Sequence, residues 1–157
     1  MQTANLPIKK QLTMSINETQ DEIIEEFSGF DDWMDRYTLL IDMGNSLEPM
    51  PAEDKNERNL IDGCQSKVWF TAALEEAGGE KRVVYHGDSD AILVKGIVAL
   101  LIRVLSGHTP KEIADADLYF IDQINLREHL SPTRSNGLAA MLKQMRLFAL
   151  AYLAVGK

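Results

Sequence analysis

The chain has 157 residues, of which 45% are hydrophobic and 25% are charged, and its formal net charge is −8. This length and composition predict a single globular domain with a sizeable core, and the acidic balance argues against unassisted binding to nucleic acid or to anionic membranes. Uninterrupted apolar runs such as residues 96–102 are too short to span a bilayer, and residues 1–15 lack the apolar core of a signal peptide.

The predicted elements begin after a polar N-terminal arm, residues 1–16, which we expect to be flexible. Acidic residues at its start and the spacing of its apolar residues predict a first helix at about residues 17–27, and a second follows at about residues 31–45. An extended polar loop and a short strand-like stretch, residues 59–61, come next. Residues 67–74 and 82–86 predict two antiparallel strands joined by a glycine turn.

The second half of the chain is predicted to be helical. Residues 91–105 are apolar nearly all round and predict a central buried helix, capped by a turn at residues 87–90 that includes Asp88 and Asp90. A short helix starts at Pro110, another segment covers residues 118–127, and the last helix starts at residues 131–134. The elements predict an α+β fold in which helices pack with a small antiparallel sheet of about three strands, as a single domain over residues 17–157.

Cys64 is the only cysteine of the chain, and it follows Gly63 at a turn between a polar loop and a strand. A lone thiol cannot form an intramolecular disulfide, and without an export signal it indicates the reducing cytoplasm. Two interpretations fit: a thiol kept for its reactivity, or a buried cysteine that acts as a small hydrophobic side chain. The polar neighbours, among them Gln65, favour the reactive thiol.

Other chemistries have less support in the sequence. A Cys–His catalytic pair needs a base within hydrogen-bond reach of the thiol, and His86, at the end of a strand expected to pair beside Cys64, is the best placed of three histidines. A single cysteine, separated histidines and scattered carboxylates match no metal-ligand spacing, so we expect no bound metal. Arg134, at the start of the last helix, is either a solvated charge or an anion contact.

Several blocks of the sequence resemble one family. Residues 59–69, NLIDGCQSKVW, resemble the signature of the SufE family of sulfur-acceptor proteins, and the pattern continues with GDSDA at residues 87–91 and VKG at residues 94–96. It returns with LSPTRSNGL at residues 130–138. The blocks follow the order and spacing of the family, and the resemblance covers about residues 23–148.

The resemblance implies a function in sulfur metabolism and iron–sulfur cluster assembly. SufE-like proteins act in cysteine desulfuration: they accept persulfide sulfur from a PLP-dependent, SufS-like cysteine desulfurase, stimulate that enzyme, and pass the sulfur to a SufBCD-like scaffold complex. The resemblance places the persulfide on Cys64. It implies supporting roles near the thiol for Gly63, Gln65, Asp90 and Arg134, with Asp90 capping a helix and Arg134 pairing with an acidic group or steadying the loop. It also implies a fold related to that of IscU-type scaffolds, which need three cysteines.

On this interpretation the chain is a sulfur-transfer partner of an enzyme and binds no cofactor of its own. It would be a monomer or homodimer in the cytoplasm, with no nucleic acid or membrane partner. The alternative is a stand-alone thiol enzyme of the hydrolase or peroxidase type, which requires a base at Cys64 and turnover without a partner. A third possibility is an interaction domain whose cysteine is incidental.

Overall fold

The computed structural model describes residues 14–155, so nearly all of the predicted N-terminal arm lies outside the described residues. Helix α1 spans Ile16–Ser28 and begins with a capping box, in which Ser15 and Glu18 satisfy each other's backbone N–H groups. Helix α2 spans Trp33–Asn45 and is capped by Asp32. Both helices lie within two residues of their predicted positions because their caps are local sequence features.

The polar loop after α2 is more ordered than an extended loop. It contains two 3-10 turns, Ala52–Asp54 and Glu57–Asn59. The Asn56 side chain accepts a hydrogen bond from the Asn59 N–H group, and the Asn59 side chain donates to the Asp54 carbonyl over 2.8 Å. These side-chain bonds join the two turns into one unit that leads towards Cys64.

The described residues form one sheet of two antiparallel strands, β1 (Val68–Ala77) and β2 (Glu80–Ser89). The connecting glycines have φ values of +63° and +80°, which a tight hairpin turn requires. The expected third strand is reduced to one isolated bridge between Leu60 and Trp69, because the chain turns away after residue 61. The α+β prediction is confirmed, with two strands and a bridge where about three strands were expected.

The turn expected at residues 87–90 is instead mostly strand. Gly87, Asp88 and Ser89 continue β2 and remain paired with β1. Helix α3 spans Ile92–Leu105 and is the predicted central helix, since almost every residue from Val94 onward is buried. It packs closely on α2: a Cβ at Gly96 would lie 2.2 Å from the carbonyl oxygen of Leu40.

The remaining helices are α4 (Pro110–Asp115), α5 (Phe120–Gln123) and α6 (Pro132–Val155). The predicted segment at residues 118–127 is therefore a short helix followed by a 3-10 turn at Arg127–His129. By length and composition alone α6 is long and apolar enough to cross a membrane, although charged and polar residues interrupt its apolar stretches. In the fold it buries one row of side chains in the core: Leu138, Met141, Met145 and Ala149.

Candidate functional site

Cys64 lies in a loop, residues 62–66, whose flanking residues are joined by a backbone hydrogen bond. Before the loop, the Ile61 N–H group donates to the Val68 carbonyl over 2.8 Å. Inside it, Gly63 has a φ of +92°, in the left-handed region that other residues rarely adopt. The result is a short turn that presents one thiol beside the start of β1.

The thiol of Cys64 is half-buried and faces the first turns of α6. Its Sγ donates to the carbonyl oxygen of Gly137 over 3.6 Å. Gly137 has no side chain at this contact, and a Cβ there would lie 3.4 Å from Sγ. Burial raises the pKa of the Cys64 thiol above its ordinary value. The resting thiol is therefore largely protonated at neutral pH, and its nucleophilic form is scarce.

A cavity of about 320 Å³ opens beside Cys64. Its walls come from three parts of the chain: the cysteine loop, the apolar start of α3, and the first turns of α6. A water molecule occupies about 30 Å³ in the liquid, so the space exceeds what one added sulfur atom needs. The other residues that line it are Gln65, Ser66, Val68, Val94, Ile97, Ser131, Thr133, Arg134, Gly137 and Met141.

Two of the predicted supporting residues, Gln65 and Arg134, line this cavity. Arg134 lies in the first turn of α6, where its N–H group donates to the Ser131 hydroxyl over 3.2 Å. Of the two roles expected for Arg134, the ion pair is not found: within residues 14–155 its exposed guanidinium pairs with no carboxylate. Its charge is thus available at the cavity to an anionic group.

The sequence predicted that Asp90 caps α3, but in the structure its side chain does not cap that helix. Its carboxylate accepts a hydrogen bond from the Lys67 N–H group over 3.0 Å, and its own N–H group donates to the Lys67 carbonyl over 3.2 Å. Ser89 supplies the hydroxyl that accepts the Ala91 N–H group at the helix start, and it also donates to the Lys67 carbonyl. Asp90 therefore acts on the cysteine loop directly, because it holds the downstream end of that loop.

Sequence analysis missed the contacts of Asp88. Its nearly buried carboxylate lies 2.9 Å from Nζ of Lys55 and 3.5 Å from Nζ of Lys95, and it accepts the Ser89 N–H group over 2.8 Å. Burial favours the protonated acid, but the hydrogen bonds from Lys55 and Ser89 and the charges of both lysines hold the pKa of Asp88 below its ordinary value. The strand register places Asp88 opposite Trp69, on the sheet face that Lys55 contacts and not on the face of Phe70 and Tyr85, so the sequence offers no signal for its burial.

None of the three histidines lines the cavity. His86 is exposed, and its ring lies 3.8 Å from the carboxylate of Glu48. His129 stacks on the Trp33 ring with the centroids 3.9 Å apart. The hypothesis of a Cys–His pair therefore has no support in residues 14–155. In the same part of the chain, no three or more His, Cys, Asp or Glu side chains are grouped to hold a metal ion.

Comparison with known proteins agrees with this architecture. The model of the family described as SufE, Fe-S metabolism associated domain, matches residues 21–149. An uncharacterised SufE-like protein of Synechocystis sp. is 44% identical over 131 residues, which are 83% of this chain and 80% of the relative. The solution structure of a hypothetical protein from Thermus thermophilus superposes with a TM-score of 0.65 over 87% of this chain and 96% of that one. That pair shares 23% sequence identity and supports the fold alone.

Proposed function

The chain belongs to the SufE family, and from this premise we propose that it is the sulfur acceptor of a SufS-like cysteine desulfurase, with Cys64 as the persulfide carrier. It would stimulate that PLP-dependent enzyme and pass the sulfur to a SufBCD-like iron–sulfur scaffold complex. The observation that carries the proposal is the position of Cys64. The single thiol of the chain lies within the matched family region and faces a cavity with room for an added sulfur atom.

The chemistry of acceptance needs only a thiolate on Cys64 and a persulfide on the partner's cysteine. The Cys64 thiolate attacks the terminal sulfur of the partner's persulfide, so a bond from Sγ to that sulfur forms. The bond from the same sulfur to the partner's cysteine breaks, and that cysteine leaves as a thiolate. Delivery is the same exchange with Cys64 as the leaving group. No electrons are gained or lost overall, so the transfer needs neither an oxidant nor a cofactor on this chain.

We propose that Cys64 is shielded at rest and moves out to meet the desulfurase. Within residues 14–155, the contact from Sγ to Gly137 is the one hydrogen bond that joins residues 62–66 to the rest of the domain. The flanking bonds at Ile61 and Lys67 lie outside this stretch. The thiol can therefore leave the cavity while both ends of its loop stay attached. We expect alkylation of Cys64 to be slow in the free protein and faster with the desulfurase present, and equal rates would count against this motion.

Intact-protein mass spectrometry tests the proposed function. The protein is incubated with a cysteine desulfurase, PLP and cysteine in the absence of reductant. We expect a mass gain of one or more sulfur atoms that a reducing thiol reverses and that Cys64→Ser abolishes. If no mass is gained with several desulfurases although Cys64 is reactive, the acceptor role is wrong and the stand-alone thiol enzyme becomes the better hypothesis. An interaction domain would lose nothing in Cys64→Ser.

We further propose that the chain works in the cytoplasm as a monomer or homodimer and binds neither nucleic acid nor membrane. The net charge of −8 supports this choice of partners, because phosphate backbones and anionic lipids repel an acidic protein. Light scattering on the purified protein distinguishes the two oligomeric states. A tight complex with a nucleic acid or with anionic vesicles at physiological salt would contradict the proposal.

A further inference from the structure

The segment that leads into the cysteine loop has few attachments to the domain. None of residues 51–60 is buried. At its end, the segment is joined to β1 by the bridge from Leu60 to Trp69 and by the hydrogen bond from Ile61 to Val68. Isolated pairing of so few residues is a weak attachment, since even a complete two-stranded hairpin is only marginally stable alone. A second attachment within the segment therefore matters for its position.

Lys55 supplies that attachment. Within residues 14–155, it is the one side chain of residues 51–60 that forms an ion pair or hydrogen bond with a residue outside them. Its Nζ lies 2.9 Å from Oδ2 of Asp88 and 5.6 Å from the ring centroid of Trp69. The side chain of Asp88 is 6% exposed, so its charge needs a nearby cation. The ammonium group thus bridges the segment and the end of β2.

We propose that Lys55 is a positioning residue for Cys64. Its ion pair with Asp88 holds the two 3-10 turns against the sheet and so fixes the upstream end of the cysteine loop. Asp90 fixes the downstream end through Lys67, so both ends are attached within residues 88–90. We call these two attachments, Lys55 to Asp88 and Asp90 to Lys67, the clamp on the cysteine loop. Its function rests on the proposed sulfur-carrying role, because a carrier needs its thiol held in the cavity until a partner arrives.

Two matched substitutions test the proposal. Lys55→Met keeps an unbranched side chain of similar length but removes the charge, whereas Lys95→Met removes the other cation from the same carboxylate without touching the segment. Asp88 keeps one lysine in either variant. We expect Lys55→Met to raise the rate of Cys64 alkylation by iodoacetamide about fivefold, in line with the strength of a partly exposed ion pair. Lys95→Met should stay within about twofold of the wild-type rate, and Lys55→Arg should restore that rate.

Alkylation in denaturant gives the intrinsic rate of the thiol, and thermal unfolding of both variants records any general loss of stability. Equal acceleration in Lys55→Met and Lys95→Met would overturn the proposal, because lost stability and not loop position would then expose the thiol. An unchanged rate in Lys55→Met would also overturn it. If Lys55→Met does not fold, Lys55→Gln takes its place under the same criteria. These rates require no desulfurase, so a failure of sulfur loading in the wild-type protein refutes the proposed function separately.

Discussion

At Gly63, next to the thiol, the cysteine loop adopts a left-handed backbone conformation. Its φ of +92° is strained for any residue with a side chain, while an added Cβ would meet only Ala140, at 3.4 Å. We expect Gly63→Ala to lower the free energy of unfolding by about 1 kcal/mol through backbone strain, and to raise the alkylation rate of Cys64. Urea denaturation and iodoacetamide kinetics measure the two effects.

Gly79 provides the matched control. It has a φ of +80°, and an added Cβ would meet nothing within 4 Å, so Gly79→Ala introduces similar strain at the hairpin turn. We expect Gly79→Ala to cost a similar free energy of unfolding without changing the alkylation rate of Cys64. If both variants accelerate alkylation equally, Gly63 has no particular role in placing the thiol.

The thiol itself should titrate abnormally. Because burial raises the pKa of Cys64, the pH at which its alkylation rate reaches half of its maximum should lie above the value of about 8.5 typical of a free thiol. The same measurement on the urea-unfolded protein supplies the ordinary value, since the chain has a single cysteine. A midpoint in the folded protein at or below the unfolded one would show that a nearby cation, such as Arg134, outweighs burial.

At the scale of elements, the contact between α2 and α3 depends on a missing side chain. A Cβ at Gly96 would lie 2.2 Å from the carbonyl oxygen of Leu40 and 2.7 Å from its carbon, so the two helices would have to separate. We expect Gly96→Ala to lower the free energy of unfolding by about 3 kcal/mol, measured by urea denaturation. Gly29→Ala is the control, because Gly29 has an ordinary φ of −72° and an added Cβ meets its neighbour at 3.4 Å. Equal losses in both variants would contradict this account of the packing.

The elements that the sequence predicted well are those with local determinants. Helices α1 and α3 were predicted close to their observed bounds, and the start of α6 was predicted correctly, because caps, prolines and apolar spacing act within a few residues. The residues at positions 87–90 were assigned wrongly for the same reason. Gly-Asp-Ser-Asp before an apolar helix has the composition of a cap, and only the pairing of β2 with β1, which is distant in sequence, makes most of it strand. The third strand is shorter than predicted for the same reason: its pairing is limited to the bridge between Leu60 and Trp69, which local sequence does not reveal.

At the scale of the whole molecule, the candidate site is assembled from three distant stretches on one core helix. The cysteine loop, the end of β2 and the first turns of α6 meet around α3, and no spacing rule in the sequence predicts that meeting. Cys64 could be singled out from the sequence because its polar neighbours, among them Gln65, are not typical of a core segment. The role of Asp88 could not be predicted, because its burial and its two lysine partners exist only after the segments have packed.

The pH dependence of stability also belongs to the whole molecule, because it sums over groups in several elements. Burial lowers the pKa of His108, despite the opposing charge of Glu112, so the fold keeps this ring neutral while the unfolded chain binds a proton near pH 6.5. The contribution of the neutral His108 ring to the free energy of unfolding is complete above that pH. It is lost as the pH falls towards the lower pKa that His108 has in the folded protein. We expect the urea midpoint to decline once the pH drops below about 6.5, and His108→Gln to remove this decline.

A second decline should follow at lower pH through Asp88 and Glu112. Burial opposes the ionisation of both acids, but hydrogen bonds and nearby cations hold each pKa below its ordinary value of 3.8 or 4.5. Their contributions to stability are therefore present above these ordinary pKa values and are lost as the pH falls through the lower pKa values of the folded protein.

Asp88→Asn should lower the urea midpoint at pH 7 by the equivalent of about 2 kcal/mol, the worth of hydrogen bonds to a charged group. It should also flatten the decline below about pH 4. If the variant and wild-type curves stay parallel down to pH 3, the ion pairs of Asp88 contribute nothing to stability, and the cysteine loop would have to be held by the hydrogen bonds at Ile61 and Lys67 alone.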